Sequence, residues 1–149
     1  MNFKAFSMSQ DSTWATPRML FDELNEQYCF GLDAAALSTS TLVLKNWYGP
    51  DHPDENKRDA LNRSWVDDTP NKTVWLNPPY GRLIGQFLKK ANEEAVKGAI
   101  VVCLIPARTD TRWFHDYCLN HRIEFIRGRL KFGNATNSAP FPSALVVMR

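Results

Sequence analysis

The sequence predicts an α/β fold with a mostly parallel sheet and an antiparallel C-terminal finish. Three observations predict it. The run "AIVVCLIP" at 99–106 is continuously apolar, which suits a parallel strand buried on both faces. Through the first two thirds of the chain, helix-like and strand-like segments alternate. The last third instead holds two strand-like segments, "RIEFIRGRLKFG" and "SALVVMR", separated by a loop rich in Asn, Ser and Pro.

Each element has its own signal. In "WATPRMLFDELNEQY", Thr16 is placed to cap a helix and Pro17 suits its first position. Leu20, Phe21, Leu24 and Tyr28 then recur at helical spacing. "CFGLDAAA" reads as a short buried strand ending at Asp33. From 38 to 48 the pattern fits either a strand or a short helix, and "GPDHPDENKRD" is a polar loop. "TVWLN" is a buried strand. A helix follows over 85–96, with Phe87, Ala91 and Ala95 on one side, Ile84 and Leu88 beside them, and Gly98 to end it. "DTRWFHDYCLN" is a further helix, capped by Asp110.

The bulk composition bounds the function. A chain of 149 residues fits one domain over 1–149, with 1–12 as a loose arm. No apolar run approaches the roughly 20 residues needed to span a bilayer. The N-terminal residues carry no secretory pattern, so an intracellular protein is expected. Cys29, Cys103 and Cys118 have neither disulfide nor zinc spacing, and all three are expected reduced and mostly buried. His115 and Cys118 share a helical face, but two residues do not make a metal site, so no metal is expected. Most of the five tryptophans should be core, with Trp14 the exception. A net charge of +2 permits a nucleic-acid partner without arguing for one.

The chemistry is concentrated in "VWLNPPYGR", 74–82. Here an apolar strand runs into Asn77, Pro78, Pro79 and Tyr80. In open α/β sheets, ligands bind beyond the carboxyl ends of strands, and Asn77 lies at such an end. The prolines fix φ and push Asn77 into extended backbone. The segment therefore presents the Asn77 side-chain oxygen and a proline carbonyl as a stiff pair of acceptors. Two adjacent acceptors match a planar –NH2 group, and Tyr80 offers a flat face to a ring that carries one. Adenine has such a group at N6. Acceptors drawing on its protons make the nitrogen lone pair more available, and they bind more strongly as charge develops. The partner reagent would be a sulfonium methyl donor, and no metal is needed. In duplex DNA the base must first leave the stack.

The chain resembles the small phage-type DNA N6-adenine methyltransferases, which use S-adenosylmethionine. The pieces that carry the likeness are "DSTWATP", "FGLDAAA", "DALNRSW", "VWLNPPYG", "LIPARTDTRWFH", "GRLKFG" and "APFPSALVV", in the family's order. "NPPYG" alone is shared by several methyltransferase groups; its combination with "PARTDTRWFH" and "GRLKF" is far more specific.

The resemblance implies a single-domain, Rossmann-like methyltransferase sandwich, working in the cytoplasm of a bacterial host on phage or prophage DNA, with protection against restriction as its expected purpose. It implies that Asn77, Pro78, Pro79 and Tyr80 engage the flipped adenine. Trp14, Thr16, Pro17, Asp33, Ala34 and Asp59 would lie at the cofactor. Arg82, Arg108, Arg112, Arg129 and Lys131 are candidate DNA contacts; Arg108 and Arg112 equally suit a surface ion-pair cluster. One departure stands out: where many members of the class have a glycine-rich turn after the first strand, this chain has "DAAALSTS". Two other readings fit the same residues. In one the acceptor is RNA adenine or a protein glutamine amide; in the other the fold binds nucleic acid without turnover.

Overall fold

The structure, a computed structural model, describes residues 14–133 and 136–149. The arm expected over 1–12 lies outside the described residues, as do 134–135 of the loop at 134–142. A five-stranded sheet has the order β1-β2-β3-β5-β4. Its strands are β1 (Leu32–Asp33), β2 (Thr73–Leu76), β3 (Ile100–Pro106), β4 (Arg122–Phe125) and β5 (Ser143–Met148). β1, β2 and β3 are parallel, while β5 lies antiparallel between β3 and β4. Four strands therefore run one way and β5 alone runs back. The predicted α/β class and its antiparallel finish hold. The central strand differs in one respect, being parallel to its neighbour on one side only.

The helices are α1 (Arg18–Tyr28), α2 (Trp65–Asp68), α3 (Ile84–Val96) and α4 (Arg112–Tyr117). α3 packs on β3, β5 and α4. It buries Ile84, Phe87, Leu88, Ala91 and Ala95, the stripe read from the sequence. Each large side chain of this kind contributes about 1.5–3 kcal/mol on burial. Gly98 ends the helix at φ 110°, a conformation that glycine adopts without strain. Glu94 on the same helix is fully buried; it pairs with Lys90 and Lys97 and accepts the Val66 N–H of α2.

Several local expectations are corrected. Thr16 does not cap α1: Pro17 occupies the N-cap and no side chain bonds the helix end. α4 is capped by the hydroxyl of Thr111, which accepts from Phe114 N–H, and not by Asp110. Cys29 is exposed, because it sits at the left-handed C-terminus of α1, whereas Cys103 and Cys118 are buried. "RIEFIRGRLKFG" forms a strand only over Arg122–Phe125, since its sole neighbour β5 begins at Ser143 and offers no further rungs. Trp65, Trp75 and Trp47 are core, while Trp14 and Trp113 are half-buried.

The turn after β1 lacks glycine, and the close approach it needs comes from elsewhere. Ala36 N–H donates to Tyr48 O, and a Cβ on Gly49 would stand 1.9 Å from Ala36 O. Gly49 thus lets the alanine turn pack flat. Gly49→Ala is expected to cost roughly 2 kcal/mol or more, by overpacking against backbone that cannot move aside cheaply. Urea unfolding checks this, and unchanged stability would contradict the assignment.

Candidate active site

The topology brings the carboxyl ends of β1, β2, β3 and β4 to one edge, where β5 begins: Pro106 pairs with Ser143 and Phe125 with Ala144. Two cavities open there. The first is lined by Trp14 and Thr16, by Asp33 and the turn that follows it, and by Asn77, Pro78 and Pro79. The second is lined by Trp14, Tyr80, Pro106, Arg108, Trp113 and Phe141, among others. Trp14 borders both. Its ring meets Phe132 and Phe141 edge-on at 5.4 and 5.1 Å. The segment around it is tied to the late loop by Gly133 N–H donating to Ala15 O at 2.8 Å.

Asn77 stands at the end of β2 with its amide oriented. Nδ2 donates to the backbone carbonyl of Trp14 and, at 3.1 Å, to Thr16 Oγ1. Oδ1 is buried and has no partner. Asp33, at the end of β1, presents a similar picture. Its Oδ2 lies 3.4 Å from both Leu42 N and Thr41 Oγ1, while Oδ1 is buried without a partner. Burial pushes the Asp33 carboxyl from 3.8 up to about 7, against the weaker pull of its backbone and Thr41 hydrogen bonds. Buried acceptors are rarely left empty, yet two of the four such side-chain atoms among the described residues belong to residues that line this one cavity. An unfilled acceptor in a cleft, one of them on a carboxyl tuned towards neutrality, is the mark of a site built for a ligand.

The other predicted residues take varied places. Pro78 lines the first cavity beside Pro79. Ala34 is fully buried and its N–H donates to Trp75 O. Pro17 serves the helix end. Asp59 lines neither of these cavities; its carboxylate caps a short 3-10 turn by accepting from Leu61 N–H at 3.2 Å. Arg108 lines the second cavity with its guanidinium 6.0 Å from the centre of the Phe141 ring. Arg82, Arg112, Arg129 and Lys131 are exposed. Among the described residues none of these five cations forms an ion pair, so the surface ion-pair reading of Arg108 and Arg112 does not hold.

Tyr80 borders the second cavity but is only 5% exposed. Its hydroxyl donates to Leu104 O at 3.1 Å, and its ring meets Phe141 edge-on at 5.5 Å. A ring so enclosed is a core residue as well as a cavity wall. Tyr80→Phe is expected to lower stability by about 1 kcal/mol through the lost hydrogen bond, and Tyr80→Ala by about 3–5 kcal/mol. Thermal unfolding checks both; equal stability of the alanine variant would mean that the ring is not packed as described.

Sequence reasoning missed the rest of the walls. Leu37, Thr39 and Ser40 line the first cavity; Trp113 and Phe141 line the second. The last two lie inside "TRWFH" and "APFPS", where a tryptophan beside an arginine and a phenylalanine between prolines were the available signals.

The sequence profile of the family described as DNA N-6-adenine-methyltransferase (Dam) matches residues 5–148. The chain belongs to this family. A DNA N-6-adenine-methyltransferase of Escherichia phage T1 is 37% identical over 160 positions, which cover 91% of this chain and 62% of the relative. One from Haemophilus phage HP1 (strain HP1c1) is 29% identical over 152 positions, covering 93% of this chain and 79% of the relative. The chain thus spans somewhat under two thirds of the length of the first of these. Among the described residues no group of three or more His, Cys, Asp or Glu converges, and no helix is long and apolar enough to cross a membrane. Within the family's frame, the Asn-Pro-Pro-Tyr segment and the segment Trp14-Ala15-Thr16-Pro17 are adjacent because Asn77 bonds directly to Trp14 and Thr16.

Proposed function

We propose that this chain transfers a methyl group from S-adenosylmethionine to N6 of adenine in DNA. The observation that carries the reading is the unpartnered Asn77 Oδ1, at the end of a strand, on a residue that lines the same cavity as Asp33, whose Oδ1 is unpartnered too. When bound, S-adenosylmethionine supplies an electrophilic methyl group carried on a sulfonium. The first cavity fits such a cofactor through its donor set: Asp33 offers a buried acceptor for an ammonium or a ribose hydroxyl, and Thr16 and Ser40 add hydroxyls. Asn77 Oδ1, with the Pro78 carbonyl beside it, accepts from the adenine amino group. As the nitrogen gains positive charge these hydrogen bonds strengthen, so they favour the transition state over the bound substrate.

The second cavity suits the acceptor. Trp14, Trp113 and Phe141 give it aromatic walls, and Arg108 stands at its rim with no anionic partner among the described residues. A base out of the stack is held by rings, and its phosphates by arginines. Arg82, Arg112, Arg129 and Lys131 extend the positive surface. The relatives are phage proteins, which supports modification of phage or prophage DNA in the host cytoplasm.

The test is transfer from radiolabelled S-adenosylmethionine to DNA, RNA and protein offered separately, followed by mapping of N6-methyladenine. Label in DNA at adenine N6 is expected. Label in RNA or on glutamine would move the acceptor, and no label with any of them would sink the reading.

A further inference from the structure

We propose that Thr16 is a positioning residue that, together with the Trp14 carbonyl, holds the Asn77 amide with its oxygen toward the reacting group. An asparagine amide has ends of nearly equal size and opposite hydrogen-bonding character. Turned one way, Asn77 presents an acceptor to an incoming –NH2 group; turned the other, it presents a donor and repels it. The choice is made by what the amide meets at its inner end.

That inner end is matched proton for proton. Nδ2 carries two hydrogens, and two acceptors face it: the Trp14 carbonyl and Thr16 Oγ1 at 3.1 Å. The carbonyl can only accept. Thr16 Oγ1 also accepts the indole N–H of Trp75 at 3.2 Å and keeps one lone pair for Nδ2, so it supports the orientation that the carbonyl selects. With one lone pair taken by the indole, the hydroxyl offers its second to Asn77. Trp75 is fully buried in β2, two residues before Asn77, so the indole is an immovable support. The amide nitrogen is then saturated and Oδ1 is left alone. The relay Trp75–Thr16–Asn77 spans 59 and 61 residues of sequence and is closed by tertiary structure alone.

This inference rests on the methyl-transfer reading only for its effect on rate; the orientation itself has an independent readout. The variants are Thr16→Val, which keeps the branched shape and loses the acceptor, and Thr16→Ser, which keeps the acceptor. In the 15N–1H spectrum the Asn77 side-chain protons, assigned by their loss in Asn77→Asp, are expected to exchange slowly in the wild type and in Thr16→Ser. In Thr16→Val at least one should exchange about 10-fold faster or more. In the transfer assay kcat should fall about 10-fold in Thr16→Val, with KM for DNA and the affinity for S-adenosylmethionine changed less than kcat, and Thr16→Ser should restore it. Should Thr16→Val not fold, Thr16→Ala is read the same way. Unchanged amide exchange overturns the proposal. So does a loss confined to S-adenosylmethionine affinity, which would make Thr16 a cofactor contact only. A wild-type protein that transfers no methyl group defeats the functional reading, while slow amide exchange that depends on Thr16 would still stand.

Discussion

Replacing Asn77 by alanine is expected to lower methyl transfer to DNA by about 100-fold or more, the usual loss when a preorganised transition-state hydrogen bond is removed. The fold should survive. Asn77 is half-buried at a strand end, and its loss takes one donor from the Trp14 carbonyl and one from the Thr16 hydroxyl, which keeps the indole N–H of Trp75. That omission costs about 1–3 kcal/mol, small enough for unfolding curves to confirm a folded variant at the assay temperature. Affinity for S-adenosylmethionine should change far less than the rate, because Oδ1 is assigned to the acceptor. Asn77→Asp sharpens the test. It keeps an acceptor where Oδ1 stands but turns a second oxygen onto the Trp14 carbonyl, so an intermediate rate is expected. If the alanine variant methylates at close to the wild-type rate, the segment is a turn and not a catalytic device.

What could be read from the sequence, and what could not, follows the range of the forces involved. The continuous run 99–106 and the stripe on α3 were legible because local spacing alone decides which face is buried. Asn77 was legible because two prolines restrict the backbone whatever surrounds it. Thr16 was misread as a cap because its partners, Trp75 and Asn77, are far away in sequence. Asp110 and Thr111 are adjacent residues with equal capping chemistry, and only the backbone of Thr111, at φ −79° and ψ 151°, selects between them. The burial of Tyr80 depends on the Leu104 carbonyl, the neighbour of a strand not yet placed when the motif is read in isolation. Gly49 carries no local signal either, since the Ala36 carbonyl that demands it lies 13 residues earlier. Misreadings of this kind fall where a distant group overrides a sound local preference.

Asp33 is expected to make the protein less stable and the cofactor tighter as pH rises, two opposite trends from one carboxyl. Its folded-state value, about 7, lies above the ordinary 3.8 because burial disfavours the charge. Below about pH 4 the group is protonated in both states and costs nothing. Between 4 and 7 the unfolded chain ionises and the folded chain does not, so stability falls; above 7 the loss levels off. A rise from 3.8 to about 7, at 1.36 kcal/mol per pH unit, is on the order of 4 kcal/mol. Asp33→Asn cannot ionise, so it should not show this fall, lying somewhat below the wild type in acid and above it at pH 8. The gain is less than the full amount, because an amide nitrogen in place of Oδ1 is a new unpartnered group that costs about 1–3 kcal/mol. Binding runs the other way. Among the described residues lining the first cavity, Asp33 is the titratable one, and its ionised form is the one that attracts a cationic ligand. Wild-type affinity for S-adenosylmethionine should therefore climb through about pH 7, with protons released on binding below that pH, and Asp33→Asn should bind weakly at every pH. Calorimetry in buffers of different ionisation enthalpy measures the released protons. A wild-type affinity that ignores pH, matched by the variant, would remove Asp33 from the cofactor site and leave its burial as a stability cost without a function.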